Sequence, residues 1–178
     1  VYARLSWDWG IGVYLYGLLH AYETSDENSH LLFIKNWLRY KIDKGIQVNH
    51  TDQVIPSAIL LELLNKHLIQ DHEKYHIVIE QTFHFLSKDS TLTLKGCEQD
   101  GIRKNAHFPW KTRGWLDDFF MSTPFMLMYD KLYDEKELRE QIKYQILAYR
   151  NFSQCYPESN FLRHGVYNFR DYKLLFWI

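Results

Sequence analysis

Residues 59–64 read Ile59-Leu60-Leu61-Glu62-Leu63-Leu64, a run that is apolar around nearly its whole helical circumference. An earlier run, Val13-Tyr14-Leu15-Tyr16-Gly17-Leu18-Leu19, has the same character. Between them lies Leu31-Leu32-Phe33-Ile34-Lys35-Asn36-Trp37-Leu38, whose pattern is amphipathic. Helices that are apolar all round are buried, whereas helices with a single apolar stripe lie outside them. The sequence therefore predicts an inner and an outer layer of helices.

The pattern continues along the chain as three pairs of helices. We predict inner helices over residues 8–23, 53–66 and 115–131, and outer helices over residues 28–40, 73–87 and 135–153. The inner helices are each preceded by an aspartate: Asp8, Asp52 and Asp117. The outer helices are preceded by Asp26, Asp71 and Asp134, at offsets of 17 to 19 residues. An aspartate at a helix start caps free N–H groups, and such self-similarity is typical of stacked αα-hairpins.

Three αα-hairpins make half of an (α/α)6 barrel, so we expect an all-α fold in which this chain covers roughly the N-terminal half. We expect residues 1–178 to form a single (α/α)-toroid domain that is incomplete at both ends. Alone, the three inner helices would expose apolar surface, which would require the rest of a longer protein or self-association. The two long connections, residues 41–52 and 88–114, both lead into an inner helix. Loops of that length are usually functional, and we predict a small hairpin or long loop in the second.

Composition excludes several classes of protein. An apolar content of 46% and an aromatic content of 17% exclude a disordered chain. The net charge of −1 and the dispersed basic residues favour neither a nucleic-acid nor a membrane partner. Cys97 and Cys155 fit neither a metal pair nor a dense disulfide framework, so we expect a reduced, cytoplasmic protein.

The segment His72-Glu73-Lys74-Tyr75-His76 matches the zincin pattern, in which two histidines bind zinc and the glutamate activates water. The third histidine of the longer metzincin pattern would fall at Thr82. The segment also occupies the slot of an outer helix's first turn, where Glu73 suits the helix dipole. We therefore predict no metal site and keep a zinc peptidase only as the least favoured alternative.

The glycines Gly10, Gly12 and Gly17 do not have the spacing of a dinucleotide-binding fingerprint. We expect them to allow close helix packing or to leave room for a ligand.

Two adjacent carboxylates open the third inner helix in Trp115-Leu116-Asp117-Asp118-Phe119-Phe120-Met121. Aromatic neighbours and a like charge at Asp52 or Asp118 would raise the pKa of Asp117, while the helix N-terminus would oppose that shift. A carboxyl group whose pKa lies near the working pH can donate a proton and then accept one. We expect Asp52, His107, Asp117 and His164 to converge on one end of the helix bundle.

Short motifs follow one another in a fixed order. They are Trp7-Asp8-Trp9-Gly10-Ile11-Gly12-Val13, Leu15-Tyr16-Gly17-Leu18-Leu19, residues 49–56, Leu60-Leu61-Glu62-Leu63, His107, residues 115–121, Pro124-Phe125, His164-Gly165 and Phe176-Trp177. In this order they resemble the unsaturated glucuronyl/rhamnogalacturonyl hydrolases of glycoside hydrolase family 105. The family's fold is the (α/α)6 barrel, in agreement with the helical repeat.

The resemblance implies a glycosidase without a cofactor. Its substrate would be an oligosaccharide that a polysaccharide lyase has left with a 4,5-unsaturated uronic acid at its non-reducing end. The enzyme would hydrate this double bond and so remove the terminal uronic acid. The resemblance makes Asp117 the catalytic acid, with Asp118 as the other candidate, and Asp52 an acid that contacts the sugar ring. It makes His107 and His164 substrate-contacting residues, and Trp115 and Trp9 aromatic walls.

One departure concerns the last motif. In the family, Phe-Trp is followed by a small residue and Arg-Gly-Asn-Gly-Trp, whereas here Ile178 follows Trp177. The arginine expected to hold the uronate carboxylate is therefore not among these 178 residues. A non-catalytic carbohydrate-binding or scaffold repeat is accordingly the second hypothesis. Rhamnogalacturonan, an ulvan-type polymer and other uronides all stay open as sources of substrate.

Overall fold

The structure is a computed structural model that describes residues 2–89, 113–136, 138–143, 146–147 and 165–167. The named helices are α1 (Trp9–Ser25), α2 (Asn28–Lys44), α3 (Ile55–Asn65), α4 (Glu73–His84) and α5 (Leu116–Tyr133). Residues 138–143 and 146–147 are also helical, within the predicted third outer helix. Two short strands, β1 (Arg113–Trp115) and β2 (Gly165–Tyr167), pair antiparallel.

The helices form the predicted two layers. The inner helix α3 packs against both α1 and α5, the outer helix α2 covers α1, and the outer helix α4 covers α3. The fully buried core draws on the inner and outer helices alike: Leu15, Leu19, Ile34, Trp37, Leu38, Ile59, Leu60, Leu61, Leu63, Ile79 and Phe125. The fold is all-α, as predicted, and the β1–β2 pair is a short addition to it.

Helix α3 is the most deeply buried helix of the described chain. All residues from Ile55 to Leu61 are buried, and Pro56 stands in the first turn, where its missing N–H has no helical partner to lose. The polar side chain of Ser57 is satisfied by the Thr82 hydroxyl of α4 at 2.8 Å. Gly12 of α1 lets α3 approach closely, because a Cβ at this position would lie 2.3 Å from Cγ2 of Ile55. The expected packing role of the glycines thus holds at Gly12.

The aspartates that mark the repeat do not all cap helix starts. Asp8 does, since its Oδ1 accepts a hydrogen bond from the N–H of Gly10 at 3.1 Å. Asp52 instead lies within a 3-10 turn, Thr51–Gln53, and Val54 is the N-terminal residue that flanks α3. The outer helices α2 and α4 are flanked by Glu27 and His72.

Asp26 and Asp134 precede the outer helices, as predicted, and each also ends an inner helix. Both adopt the left-handed conformation, with φ of 54° and 53°, directly after α1 and α5. Their N–H groups donate to the carbonyls of Tyr22 and Asp130 at 2.8 Å. Aspartate tolerates this conformation better than most residues because its short polar side chain can bond locally. Asp26 and Asp134 therefore mark where inner helices end, whereas Asp71 directly precedes His72 at the start of α4.

Helix bounds differ from the prediction where tertiary packing continues a stripe or a turn changes type. Helix α2 extends to Lys44, since Ile42 continues its buried face. Helix α4 gives way to a π-helical turn, Phe85–Asp89. Of the predicted hairpin or loop over residues 88–114, residues 90–112 lie outside the described part of the chain. No helix among the described residues is long and apolar enough to span a membrane.

Candidate active site

The starts of α1 and α3 lie together. The indole Nε1 of Trp7, just before α1, donates to the carbonyl of Gln53 at 2.9 Å, and the Trp7 ring stacks on Trp37 with centroids 5.2 Å apart. Trp9, the first residue of α1, leaves 54% of its surface exposed. Since Gln53 adjoins Asp52, these contacts bring the predicted residues Trp9 and Asp52 to the same end of the inner layer.

Asp52 lies in a turn that is fixed from several sides. Thr51 is fully buried, and the N–H of Asn49 donates to Oε1 of Gln53 at 2.9 Å. The Asp52 side chain remains about one-third exposed at 35%, with Nδ1 of the largely buried His50 at 3.8 Å from its Oδ2. Asp52 thus presents a partly exposed carboxylate from a hydrogen-bonded turn, next to the imidazole of His50.

The start of helix α5 is directed toward the end of the inner layer that holds Asp52. Helix α5 contacts both α3 and the turn Thr51–Gln53. Its C-terminal residue Tyr133 has a raised pKa because of burial and the nearby charges of Glu80 and Asp71. Asp71 lies in the connection after α3, at the end opposite Asp52. Helix α5 therefore runs parallel to α3, and its first turn, which contains Asp117, is directed toward the end that holds Asp52.

The strand pair adds a distant segment to the same region. Trp115, the last residue of β1 and directly before α5, stands opposite Gly165 of β2. His164 precedes Gly165 in sequence and lies outside the described residues, as does His107. The structure thus places the backbone of Trp115 and Asp117, together with Trp9 and Asp52. It also brings the segment that follows His164 to the start of α5.

The zincin-like segment forms the start of α4, and both of its histidines have partners within the protein. Nδ1 of His72 accepts from the N–H of Lys74 at 3.1 Å as a helix cap, and Nε2 of His76 lies 2.6 Å from Oδ1 of Asp71. Among the described residues, no group of three or more His, Cys, Asp or Glu side chains could hold a metal ion. The pattern is explained by the first turn of α4, as predicted.

Several residues near the site were not singled out by sequence reasoning. Trp7 and Gln53 position the start of α3, although the motifs that contain them assigned neither a role. The polar string Asn49-His50-Thr51-Asp52-Gln53 could have indicated Gln53. Glu62 interrupts the apolar run of α3 for a structural reason. It pairs with Lys66 at 2.9 Å, and burial together with this carboxylate raises the pKa of Tyr16 on α1.

Comparisons with known proteins agree with the motifs and the fold. A family model described as Glycosyl Hydrolase Family 88 matches residues 2–175. The chain is 21% identical over 160 residues to the unsaturated rhamnogalacturonyl hydrolase YesR of Bacillus subtilis. Two crystal structures, from Klebsiella pneumoniae and Salmonella enterica, are each described as a possible member of the GH105 family. They superpose with a TM-score of 0.72 at 19% and 20% identity and show the shared fold.

The chain spans only part of these relatives. The match covers 90% of this chain but 45% of YesR, and 92% of this chain but 41% of each crystal structure. The resemblance seen in the motifs is thereby confirmed at the level of family and fold.

Proposed function

This chain belongs to glycosyl hydrolase family 88, and on that premise we propose that it acts on unsaturated uronides. The substrate is an oligosaccharide with a 4,5-unsaturated uronic acid at its non-reducing end, the product of a polysaccharide lyase. The similarity to a protein named as an unsaturated rhamnogalacturonyl hydrolase supports this substrate class. The observation that carries the proposal is the family match over residues 2–175, which includes Asp52 and Asp117 at the starts of neighbouring inner helices.

The proposed reaction adds water across the C4–C5 double bond. Asp117 donates a proton to C4, and a water molecule adds its oxygen at C5 while its proton passes back to the carboxylate. The hemiketal formed at C5 opens to a ketone, which leaves the former ring oxygen as a hydroxyl on C1. The hemiacetal now present at C1 breaks its bond to the attached sugar, which leaves as an alcohol with the hydroxyl proton while C1 becomes an aldehyde. One carboxyl group suffices for both proton transfers if its pKa lies near the working pH. No metal or organic cofactor is needed for this addition.

The other predicted residues bind the sugar in this proposal. Asp52 accepts hydrogen bonds from sugar hydroxyls, a role that its partial exposure and fixed backbone support. The exposed ring of Trp9 offers a flat apolar face for the sugar ring, and Trp115 serves as a second wall. His107 and His164 complete the proposed contacts to the substrate.

The decisive experiment is the substitution Asp117→Asn in the full-length protein, with Asp118→Asn as the matched control. We expect Asp117→Asn to lower kcat by roughly 100- to 10,000-fold, the usual contribution of a general acid or base. The measurement follows the ultraviolet absorbance of the conjugated uronate, which should persist with Asp117→Asn and decay with Asp118→Asn. Undiminished decay with Asp117→Asn would remove the assignment, and loss of activity only in Asp118→Asn would exchange the two residues.

The same assay addresses the second hypothesis, a non-catalytic carbohydrate-binding repeat. The exposed Trp9 would serve that function equally well. If the unaltered full-length protein binds unsaturated oligosaccharides but turns none over, binding alone is the function.

A further inference from the structure

A polar groove of about 670 Å³ lies on the outside of the helical layers, away from Trp9 and Asp52. One wall is the outer helix α2, and the other is the start of α4 with the connection that follows α3. That connection leaves the C-terminal end of α3, whereas Asp52 lies before its N-terminal end. The volume falls within the range of small-molecule sites, roughly 300 to 1,000 Å³.

Two cations project into the groove from one face of α2. Lys35 and Arg39 both line it, and residues four apart on a helix are neighbours, with Cβ atoms about 6 Å from each other. The carboxylates of the groove already have partners. Asp43 pairs with Nζ of Lys74 at 2.5 Å, and Asp71 pairs with His76. The lining holds the cations Lys35, Arg39 and Lys74 against the carboxylates Asp43 and Asp71, so its net charge is positive. The pKa of Asp43 is lowered mainly by the hydrogen bond from Lys74 and to a lesser extent by the charge of Arg39.

The remaining lining suits a sugar rather than a bare anion. Leu32 is 58% exposed at the groove, and the half-buried ring of Tyr75 lies 5.6 Å from the ring of His72. Leu32 and Tyr75 thus add apolar area to the lining, while the amides of Asn36 and Gln70 can bond hydroxyl groups. Arginine and lysine beside such a surface favour a ligand with a carboxylate.

We propose that this groove is a second binding site, which holds a uronate unit of an acidic oligosaccharide on the outer helices. The choice of an acidic sugar rests on the proposed function, whereas the groove and its charges do not. Because the groove lies away from the starts of the inner helices, it would retain the polymer or its fragments near the enzyme without taking part in the reaction.

The test measures binding of saturated digalacturonate, which has no double bond to hydrate, to the full-length protein by NMR. We expect it to shift the backbone amide signals of residues 32–43 and 68–75. The double variant Lys35→Ala/Arg39→Ala should raise Kd for this shift at least about tenfold, since charge-assisted hydrogen bonds are lost. The control Lys131→Ala/Lys136→Ala removes the same charge from exposed positions outside the groove and should leave Kd within about twofold.

Two further ligands distinguish recognition of the sugar ring from recognition of the negative charge. Maltose, a neutral disaccharide, should leave these amide signals in place, and inorganic sulfate should bind at least about tenfold more weakly than digalacturonate if the sugar ring contributes. Equal binding of sulfate and digalacturonate would overturn the sugar assignment. Unchanged binding in Lys35→Ala/Arg39→Ala, or equal loss in the control, would overturn the site. Turnover by Asp117 is measured separately, so failure of this groove leaves the proposed reaction unaffected, and the reverse also holds.

Discussion

Helices α1 and α3 lie side by side in the inner layer, yet they differ sharply in burial. Helix α3 has neighbours on α1, α4 and α5, and its residues from Ile55 to Leu61 are all buried. Helix α1 buries Leu15 and Leu19 but exposes Trp9, Val13 and Tyr14. Both helices come from runs that are apolar around the helix, so sequence character alone does not distinguish them.

The difference shows what an all-round apolar helix means in a layered fold. A helix in the middle of the described layer finds partners on every side, whereas a helix at its edge keeps an open face. On α1 this face begins at Trp9, next to the turn that contains Asp52. Trp9 therefore offers an exposed aromatic ring at the end of the inner layer that holds Asp52.

The test with the largest expected effect compares the substitution Leu61→Ala in α3 with Val13→Ala in α1. Leu61 is fully buried, so we expect a loss of about 2 to 5 kcal/mol in the free energy of unfolding, the usual cost of emptying a core position. Val13 is 42% exposed, and its truncation should change stability by less than about 1 kcal/mol. Urea unfolding followed by circular dichroism measures both values. Equal losses would mean that the open face of α1 is covered in solution.

A second pair of variants examines two glycines of α1. Gly12→Ala places a Cβ 2.3 Å from Ile55 Cγ2 and should destabilise the protein by about 1 to 3 kcal/mol, as overpacking usually does. Gly17 has no heavy atom within 4 Å of the added Cβ, so Gly17→Ala should stabilise α1 by up to about 1 kcal/mol through helix propensity. Thermal unfolding of both variants gives the signs. Destabilisation by Gly17→Ala would contradict the open face.

The smallest expected effect concerns the ion pair that joins the ends of α1 and α3. The hydrogen bond from Lys66 lowers the pKa of Glu23 below its ordinary value of 4.5. A lowered pKa in the folded state gives stability that is present above the unfolded-state pKa and lost as pH falls through the folded-state pKa. Because Glu23 is partly exposed, Glu23→Gln should cost less than about 1 kcal/mol at neutral pH.

The measurement for Glu23→Gln is the difference in free energy of unfolding from the unaltered protein, followed from neutral to acidic pH. The difference should shrink toward zero in acid, where the carboxyl group of the unaltered protein is protonated. A difference that stays constant across this range would show that the substitution acts through packing rather than charge.

Much of the fold could be predicted from periodicity, and the errors lie at helix ends. The inner–outer alternation follows from apolar runs such as residues 59–64 against the striped run at residues 31–38. The capping roles could not be read in this way, because aspartate suits both the start of a helix and the left-handed residue after its end. Asp8 takes the first role and Asp26 the second, and only backbone geometry separates them.

The contacts that support the candidate site could not be predicted from the sequence. The motifs named Trp9, Asp52 and Asp117, whereas the contact between Trp7 and Gln53 joins segments 46 residues apart. No local pattern encodes such a contact, since it depends on how α1 and α3 pack. The pairing of Trp115 with Gly165 is equally nonlocal.

Gln53 is held twice, through its carbonyl by Trp7 and through its side chain by Asn49. The turn containing Asp52 is thus anchored before any ligand arrives, and its ordering entropy is part of the folding free energy rather than of the binding free energy. Affinity gained at this carboxylate is accordingly not offset by immobilising its backbone. Substitutions at Trp7 would loosen this turn. They would thereby weaken the binding of a ligand to Asp52, although Trp7 itself need not contact that ligand.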